Sequence, residues 1–240
     1  MPFSKKLLFG SLVVSGAVLS TTASASEFND IRQLSQDAFL RLSKDLASVT
    51  ALRALSPSVT LNLLGIDIGV EVGVTKVDNT DVWKKAGGGA TDVITPRLTI
   101  HKGLTAGFDV GASIGAASGA GIKTIGAIAR YQFITPGLIM PGATIRLTAT
   151  RDFGANNVTV RSLGADFVVA KPLVIVTPYV GIGTIRAETS APNTLLSSVT
   201  VNRTRTFVGI DARLAFATVS AEAEKIGDTT TISSKLGFRF

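Results

Sequence analysis

The chain lacks cysteine altogether and contains a single histidine, His101, among its 240 residues. The absence of cysteine excludes disulfides, thiolate metal sites and a lipidated N-terminal cysteine. No combination of histidine and acidic residues has the spacing of metal ligands either. We therefore expect neither a metal nor another cofactor.

Long hydrophobic runs are missing beyond the N-terminus, although the mean hydropathy of +0.39 is high for a soluble protein. After residue 25, the longest apolar stretches are interrupted by Asp109, Lys123 and Arg130, so none reaches the ~18 uncharged residues of a spanning helix. Lipid cannot satisfy the open edge of a sheet, which leaves a closed β-barrel as the remaining membrane fold.

Residues 1–25 have the three parts of a secretory signal peptide. Lys5 and Lys6 form a basic start, residues 7–19 are apolar, and residues 23–25 offer small side chains for cleavage. The apolar part is shorter than the ~20 residues that a spanning helix needs. We expect cleavage after residue 25, followed by export to the bacterial outer membrane.

Residues 26–57 predict a periplasmic amphipathic helix. Neither glycine nor proline occurs over residues 27–55, and the residue before Pro57 resists helical geometry. Apolar residues recur there at helical spacing, namely Phe28, Ile31, Ala38, Leu42, Leu46, Val49 and Leu52.

From residue 58 to residue 240 the apolar period changes to two, which is typical of strands. Ten segments of about 9 to 13 residues alternate in this way, close to the length of a tilted transmembrane strand. Within these segments no charge falls on the apolar face. We expect an all-β fold, a transmembrane antiparallel up-and-down barrel of about ten strands; a soluble sandwich or lipocalin-like barrel is the alternative. The residues expected to face lipid near mid-bilayer include Val70, Val110, Ala127, Leu147 and Ile210.

Short joins alternate with longer ones along these segments, as short periplasmic turns and longer external loops do in bacterial barrels. An even number of strands then places both ends of the barrel in the periplasm. Six phenylalanines fall toward the periplasmic ends of their strands and should form an aromatic belt there, namely Phe108, Phe133, Phe167, Phe216, Phe238 and Phe240.

The face opposite to the apolar one carries charges of both signs. Their balance favours cross-strand ion pairs over a field that selects ions of one sign. The predicted luminal charge network consists of Asp67, Glu71, Arg97, Asp109, Arg130, Arg146, Asp166, Arg205, Asp211, Arg213, Glu222, Glu224, Lys235 and Arg239.

The helix needs a surface that buries its apolar stripe. Four surfaces are open to it: the lumen, the periplasmic rim, the inner leaflet and another copy of the helix. A ten-stranded lumen is polar and too narrow for a helix ~10 Å across. We therefore expect the helix to cap or flank the periplasmic mouth, with self-association as the alternative.

The last strand, residues 236–240, alternates apolar and polar residues and ends on phenylalanine. It resembles the final strand of small bacterial outer-membrane β-barrel proteins. The resemblance implies that the outer-membrane assembly machinery recognises an assembly signal formed by Leu236, Phe238 and Phe240.

Residues suited to catalysis are few. His101 precedes a tight turn, which predicts a solvated turn histidine. Glu222 and Glu224 are two residues apart on one strand face, where like charges perturb each other's titration, but the luminal arginines should neutralise them. The glycine-rich stretches at residues 87–89 and 119–121 match no phosphate-binding loop and predict a loop and a turn.

These observations predict a non-enzymatic barrel, either structural or a narrow conduit for small or lipophilic solutes. One alternative is a porin-like transporter gated by the N-terminal helix, and another is a lipid-directed hydrolase. The net charge of +7 is spread along the chain, which argues against nucleic acid as a partner. The expected partners are outer-membrane lipid, lipopolysaccharide and the assembly machinery, and the oligomeric state is open.

Overall fold

The computed structural model describes residues 28–55, 61, 63–89, 92–137, 139–153 and 157–240. The expected signal peptide and the expected end of the helix before Pro57 lie outside the described residues.

Ten antiparallel strands form a closed barrel in which each strand pairs with its neighbours in sequence and β1 pairs with β10. This confirms the predicted fold class and strand number. The strands, which together we call the wall, are β1 (Ile66–Lys76), β2 (Asp92–Gly103), β3 (Phe108–Ala117), β4 (Ile122–Ile134), β5 (Gly142–Phe153), β6 (Thr159–Ala170), β7 (Val176–Ser190), β8 (Val199–Leu214), β9 (Ala217–Ile226) and β10 (Thr229–Arg239).

The barrel has two distinct ends. One end, which we call the turn end, contains the start of β1 and the end of β10. It also contains the joins β2–β3, β4–β5, β6–β7 and β8–β9. The joins β1–β2, β3–β4, β5–β6, β7–β8 and β9–β10 lie at the other, the loop end. The β1–β2 join is the longest and contains a short helix, α2 (Thr80–Lys85).

The burial of each strand alternates as the sequence predicts. On β1, Val70 is 51% exposed while the adjacent Glu71 is 2% exposed, because the first faces outward and the second faces the lumen. The strands are longer than the apolar segments, however, and their loop-end extensions carry outward charges. The absence of charge from the apolar face therefore holds within the segments but not for whole strands: Lys76, Lys123, Arg151, Arg161, Arg186, Glu188 and Lys225 all face outward.

The predicted aromatic belt is present at the turn end. All six phenylalanines face outward, with exposed fractions of 43% to 69%. Rings contact each other there. Phe108 of β3 stacks on Tyr131 of the neighbouring β4 with centroids 4.4 Å apart, and Phe133 of β4 lies 5.9 Å from Phe167 of β6.

The N-terminal segment contains a helix shorter than the sequence predicts. A 3-10 turn (Ile31–Gln33) precedes α1 (Gln36–Thr50), and residues 51–55 are not helical. The Oγ atom of Ser35 caps α1 by accepting a hydrogen bond from the backbone N–H of Ala38 at 3.3 Å. No helix in the described part of the chain is long and apolar enough to cross a membrane.

The expectation that the helix lies outside the barrel is wrong. The segment 28–55, which we call the plug, lies inside the lumen, and α1 packs against β5, β6, β7 and β8. Its N-terminal half lies at the loop end, opposite to the expected mouth: Gln36 bonds Ser197 of the β7–β8 loop, and Asn29 bonds Asn157 of the β5–β6 loop.

The lumen accommodates the plug because many luminal side chains are small. Leu52 shows this directly, since a Cβ atom added to Gly126 would lie only 2.7 Å from its Cδ2 atom. The expectation of a lumen too narrow for a helix was based on the number of strands and did not consider the small size of these side chains.

Arginine in place of Leu147 tests the outward face. Leu147 is 53% exposed near the middle of β5, so Leu147→Arg should destabilise the folded barrel by ~2–4 kcal/mol. Leu214→Arg, near the turn end, should cost about 0–1 kcal/mol. Heat-modifiable migration after refolding into vesicles measures both, and equal effects of the two substitutions would contradict the assignment.

Candidate functional site: the plugged lumen

The loop-end half of the lumen is apolar, in contrast to the polar lumen that the sequence predicts. Here the apolar stripe of α1 packs against inward side chains of the wall and of α2. The cluster includes Phe28, Ile31, Phe39, Leu42, Leu46 and Val49 of the plug, and Val82, Trp83, Val93, Ile122, Val160, Ala187 and Val201 around it.

Asp45 anchors the middle of α1 to the β1–β2 join. Its carboxylate accepts hydrogen bonds from the backbone N–H of Asn79 at 2.9 Å, from Asn79 Nδ2 at 3.2 Å and from the indole Nε1 of Trp83 at 3.0 Å. The Trp83 ring is fully buried and packs edge-to-face with the Phe28 ring, with the two centroids 5.3 Å apart. The carboxylate of Asp45 thus joins the plug to the β1–β2 join through a group of polar contacts that is surrounded by apolar side chains.

The C-terminal end of α1 meets cationic side chains. Arg97 of β2 donates from Nη2 to the carbonyls of Val49 at 3.3 Å and Thr50 at 3.4 Å. Arg53 donates from Nη2 to the carbonyl of Ser48 at 2.6 Å. Carbonyls at a helix end lack intrahelical partners and carry the negative end of the helix dipole, so both contacts stabilise the end of α1.

Residues 51–55 descend through the middle of the lumen with their carbonyls bound by the wall. Arg205 Nη1 donates to the carbonyl of Leu52 at 3.2 Å, and Arg146 Nη1 donates to that of Ala54 at 2.8 Å. These bonds replace the helical ones, which explains why α1 ends at Thr50 although no glycine or proline follows it before residue 57.

Arg53 is a member of the luminal network that sequence reasoning missed. Its Nε atom lies 2.7 Å from Glu224 Oε1, and its Nη2 atom donates to Thr231 Oγ1 at 3.0 Å. The available signal was a lone arginine at the end of an apolar helix stripe, directly after Leu52. This signal does not identify a luminal residue unless the plug is placed in the lumen.

The charges of the central wall form a connected set. Asp166 Oδ2 accepts from Arg146 Nε at 2.8 Å and from Arg205 Nη1 at 3.1 Å, while Arg205 Nε lies 2.5 Å from Glu224 Oε2. Glu222 accepts from the hydroxyl of Tyr179 at 3.1 Å and lies 4.0 Å from Arg205. Arg205 therefore pairs closely with Glu224, while Glu222 lies at the limit of ion-pair distance.

A second set of ion pairs lies in the turn-end half of the lumen. Asp67 pairs with Lys235 and with Arg239, the latter at 2.8 Å. Arg239 also lies 3.8 Å from Asp211. On the other side of the lumen Arg130 Nε pairs with Asp109 Oδ1 at 2.5 Å. Glu71 is buried on the same luminal face.

Two predictions about single residues are wrong. By its position in the alternation of β8, Arg213 should face the lumen. It is instead exposed at the turn end, where it donates to the carbonyl of Ala215 at 3.1 Å. His101 is not a solvated turn residue, because β2 continues to Gly103 and buries the imidazole in the lumen. The absent side chain of Gly111 provides its space, since a Cβ there would lie 2.5 Å from Nδ1.

The barrel is established by its own strand pairing, and comparison with known proteins shows only distant likenesses. No protein-family model and no curated protein matches the sequence. Among solved structures the chain is similar to the KdgM porin in complex with disordered oligogalacturonate, at 11% identity and a TM-score of 0.38, over 72% of this chain and 99% of that one. It is similar to LpxR from Salmonella typhimurium at 10% identity and a TM-score of 0.39, over 72% and 99%.

It is also similar to the translocator domain of the autotransporter NalP from Neisseria meningitidis, at 11% identity and a TM-score of 0.39, over 85% of this chain and 94% of that one. These are outer-membrane β-barrels. At such low identities the likeness concerns the fold alone.

Asp45 should make the docking of the plug sensitive to pH. Burial raises the pKa of its carboxyl above the usual value, despite the hydrogen bonds from Asn79 and Trp83, which lower it. The free energy that such a carboxyl contributes to docking of the plug is fully present below the pKa of an exposed aspartate, about 3.9. It is lost as the pH rises through the raised pKa of the docked state. The plug should therefore be held more firmly at pH 4 than at pH 7.

The fluorescence of Trp83, the only tryptophan, reports on this contact. The urea concentration that half-releases the plug should rise more between pH 7 and pH 4 in the natural protein than in Asp45→Asn, which keeps the shape but cannot ionise. An identical pH dependence in the two proteins would contradict the prediction.

Proposed function

We propose that this protein is a non-enzymatic outer-membrane barrel closed at rest by its own plug, and that solutes pass through it only when the plug is displaced. The middle of the wall supports placement in a membrane. It presents a continuous band of exposed apolar side chains, with Leu147 53% and Ile210 45% exposed, and soluble proteins rarely leave so large an apolar area in water.

The observation that carries the proposal is the occupation of the lumen from the loop end to its middle. The apolar side chains of α1 are almost completely buried. Each such side chain contributes ~1.5–3 kcal/mol when buried, so spontaneous release of the whole stripe is rare. The resting state is therefore closed, and opening requires another influence such as a partner or a force on the plug.

The ion pairs of the wall favour a removable plug over a permanent filling. Asp166 is neutralised by Arg146 and Arg205, both of which belong to the wall. The bonds from these arginines to the plug end on backbone carbonyls. Release of the plug thus leaves the main wall charges paired and exposes polar groups to water, which suits a conduit.

The arrangement of titratable groups supports a role without catalysis. Arg205 holds the carboxylates of Glu222 and Glu224, and His101 is enclosed in the lumen, away from the outward surface where lipid would bind. A lipid-release assay on the purified barrel tests this, and release above the level of a heat-unfolded sample would favour a lipid-directed hydrolase.

The orientation in the membrane follows from the ends of the wall. We propose that the turn end faces the periplasm, since the C-terminal end of the last strand lies there. The loop end then faces outward. Leu236, Phe238 and Phe240 of the proposed assembly signal are 48% to 69% exposed at this end. They are free to contact the assembly machinery while the barrel closes.

A crosslink between plug and wall should prevent opening. In Leu52→Cys/Gly126→Cys the two side chains face each other, and the protein offers no competing thiol. We expect no conductance of the full chain in planar bilayers at rest. Channel steps should appear in urea concentrations that release the plug but leave the barrel heat-modifiable, and oxidation of this pair should abolish them.

The matched control is Thr99→Cys/Ser113→Cys, which joins two neighbouring strands that are in register and leaves the plug free. Its oxidised form should conduct in urea like the natural protein. Steps of equal size and frequency in the oxidised plug–wall pair would contradict closure by the plug. Absence of conductance while Trp83 fluorescence shows release would exclude a conduit and leave a structural role.

A further inference from the structure

The outer wall carries an arginine cluster at the loop end, formed by Arg151 on β5, Arg161 on β6 and Arg186 on β7. All three are exposed and face outward. Arg151 and Arg161 are direct cross-strand partners, and Arg186 lies opposite Leu163, two residues from Arg161 on the same face. Among the described residues, no salt bridge within 4.0 Å involves any of the three.

The pairing of Arg151 with Arg161 works against the stability of the sheet, because like charges directly opposite each other repel. The nearest acid in register is Glu188, opposite Arg161, and it leaves the cluster with a net positive charge. Arginine on a lipid-facing surface costs little near the interface but several kcal/mol at mid-bilayer. The position of the cluster at the ends of the strands therefore fits the depth of lipid headgroups, where an anion would relieve the repulsion.

An apolar groove adjoins the arginine cluster on its mid-bilayer side. It has a volume of about 620 Å³ and is lined by Ile125, Ala127, Ala149 and Leu163, with the three arginines and Glu188 at its loop-end rim. The floor is low because alanines pair across the strands, as Ala127 does with Ala149. A second groove of about 640 Å³ continues it past Leu147.

We propose that this surface is a binding site for a phosphorylated lipid of the outer leaflet, with an acyl chain in the groove and a phosphate on Arg151 and Arg161. Guanidinium groups bind phosphate through paired, charge-assisted hydrogen bonds, and the alanine floor accepts a hydrocarbon chain. The proposal rests on the orientation given above, with the loop end outward. It does not depend on the plug.

The chain offers a matched control on another part of the wall. Lys76 and Lys225 also face outward at the loop end, and both are in register with Thr230 of β10. Lys225 borders an apolar groove of about 650 Å³. This region therefore has similar charge and shape but lacks a like-charged cross-strand pair.

Native mass spectrometry of the full chain in detergent tests the site with diphosphorylated lipid A and with the same lipid after removal of its phosphates. Arg151→Gln/Arg161→Gln should weaken binding of the phosphorylated lipid at least about tenfold, the effect of losing charge-assisted hydrogen bonds. Lys76→Gln/Lys225→Gln should change it less than about twofold. Ala127→Trp, which fills the groove, should weaken it as well.

Heat-modifiable migration verifies that each variant is folded, and Arg151→Lys/Arg161→Lys should retain part of the affinity because it keeps the charge. Equal affinity for the two lipids, or equal losses in the arginine and lysine variants, would overturn the site. Binding in detergent is independent of conductance, so failure of this proposal is distinguishable from failure of the plugged conduit.

Discussion

Peptide groups must be hydrogen-bonded wherever water is excluded, and this requirement shapes both the wall and what lies inside it. In the wall it is met by closure: Ile66 and Phe240 exchange backbone bonds at 3.1 Å and 2.9 Å, which joins the first strand to the last. Closure puts the start of β1 at the turn end. A preceding segment that reaches the loop end from there must run along the lumen, which is the path of residues 55 to 28.

The same requirement explains the luminal arginines. The stretch after α1 has no helix or sheet to bind its carbonyls, and a guanidinium group can donate in several directions at once. Arg146 and Arg205 each bind a plug carbonyl and Asp166 together. The carboxylate thus holds the two arginines in position to receive the plug. The cross-strand ion pairs that the sequence predicts are present, as between Arg146 and Asp166, and Arg146 also binds the backbone of the plug.

The wall was predictable from sequence because its signal repeats every two residues, with apolar side chains on the outward face. Ten strands, their faces and the aromatic belt all follow from that period. The place of the plug did not follow, because an apolar stripe shows that a surface is buried and not which surface. The role of Arg53 did not follow for the same reason. His101 and Arg213 show a further limit of sequence analysis. The alternation of residues predicts which face of a strand a side chain occupies, but the exact end of the strand decides whether that side chain is enclosed in the lumen.

Arg53 makes the plug part of the charge balance of the lumen. With Arg213 exposed at the turn end, the wall contributes one base fewer than acids to the predicted network, and Arg53 supplies the missing cation at Glu224. Glu224 is held from two sides, by Arg205 of the wall and by Arg53 of the plug. Withdrawal of the plug leaves Glu222 and Glu224 to share Arg205. The plug is thus joined to the wall by apolar packing at the loop end and by charge at its centre, and its removal changes the electrostatic character of the space that it vacates.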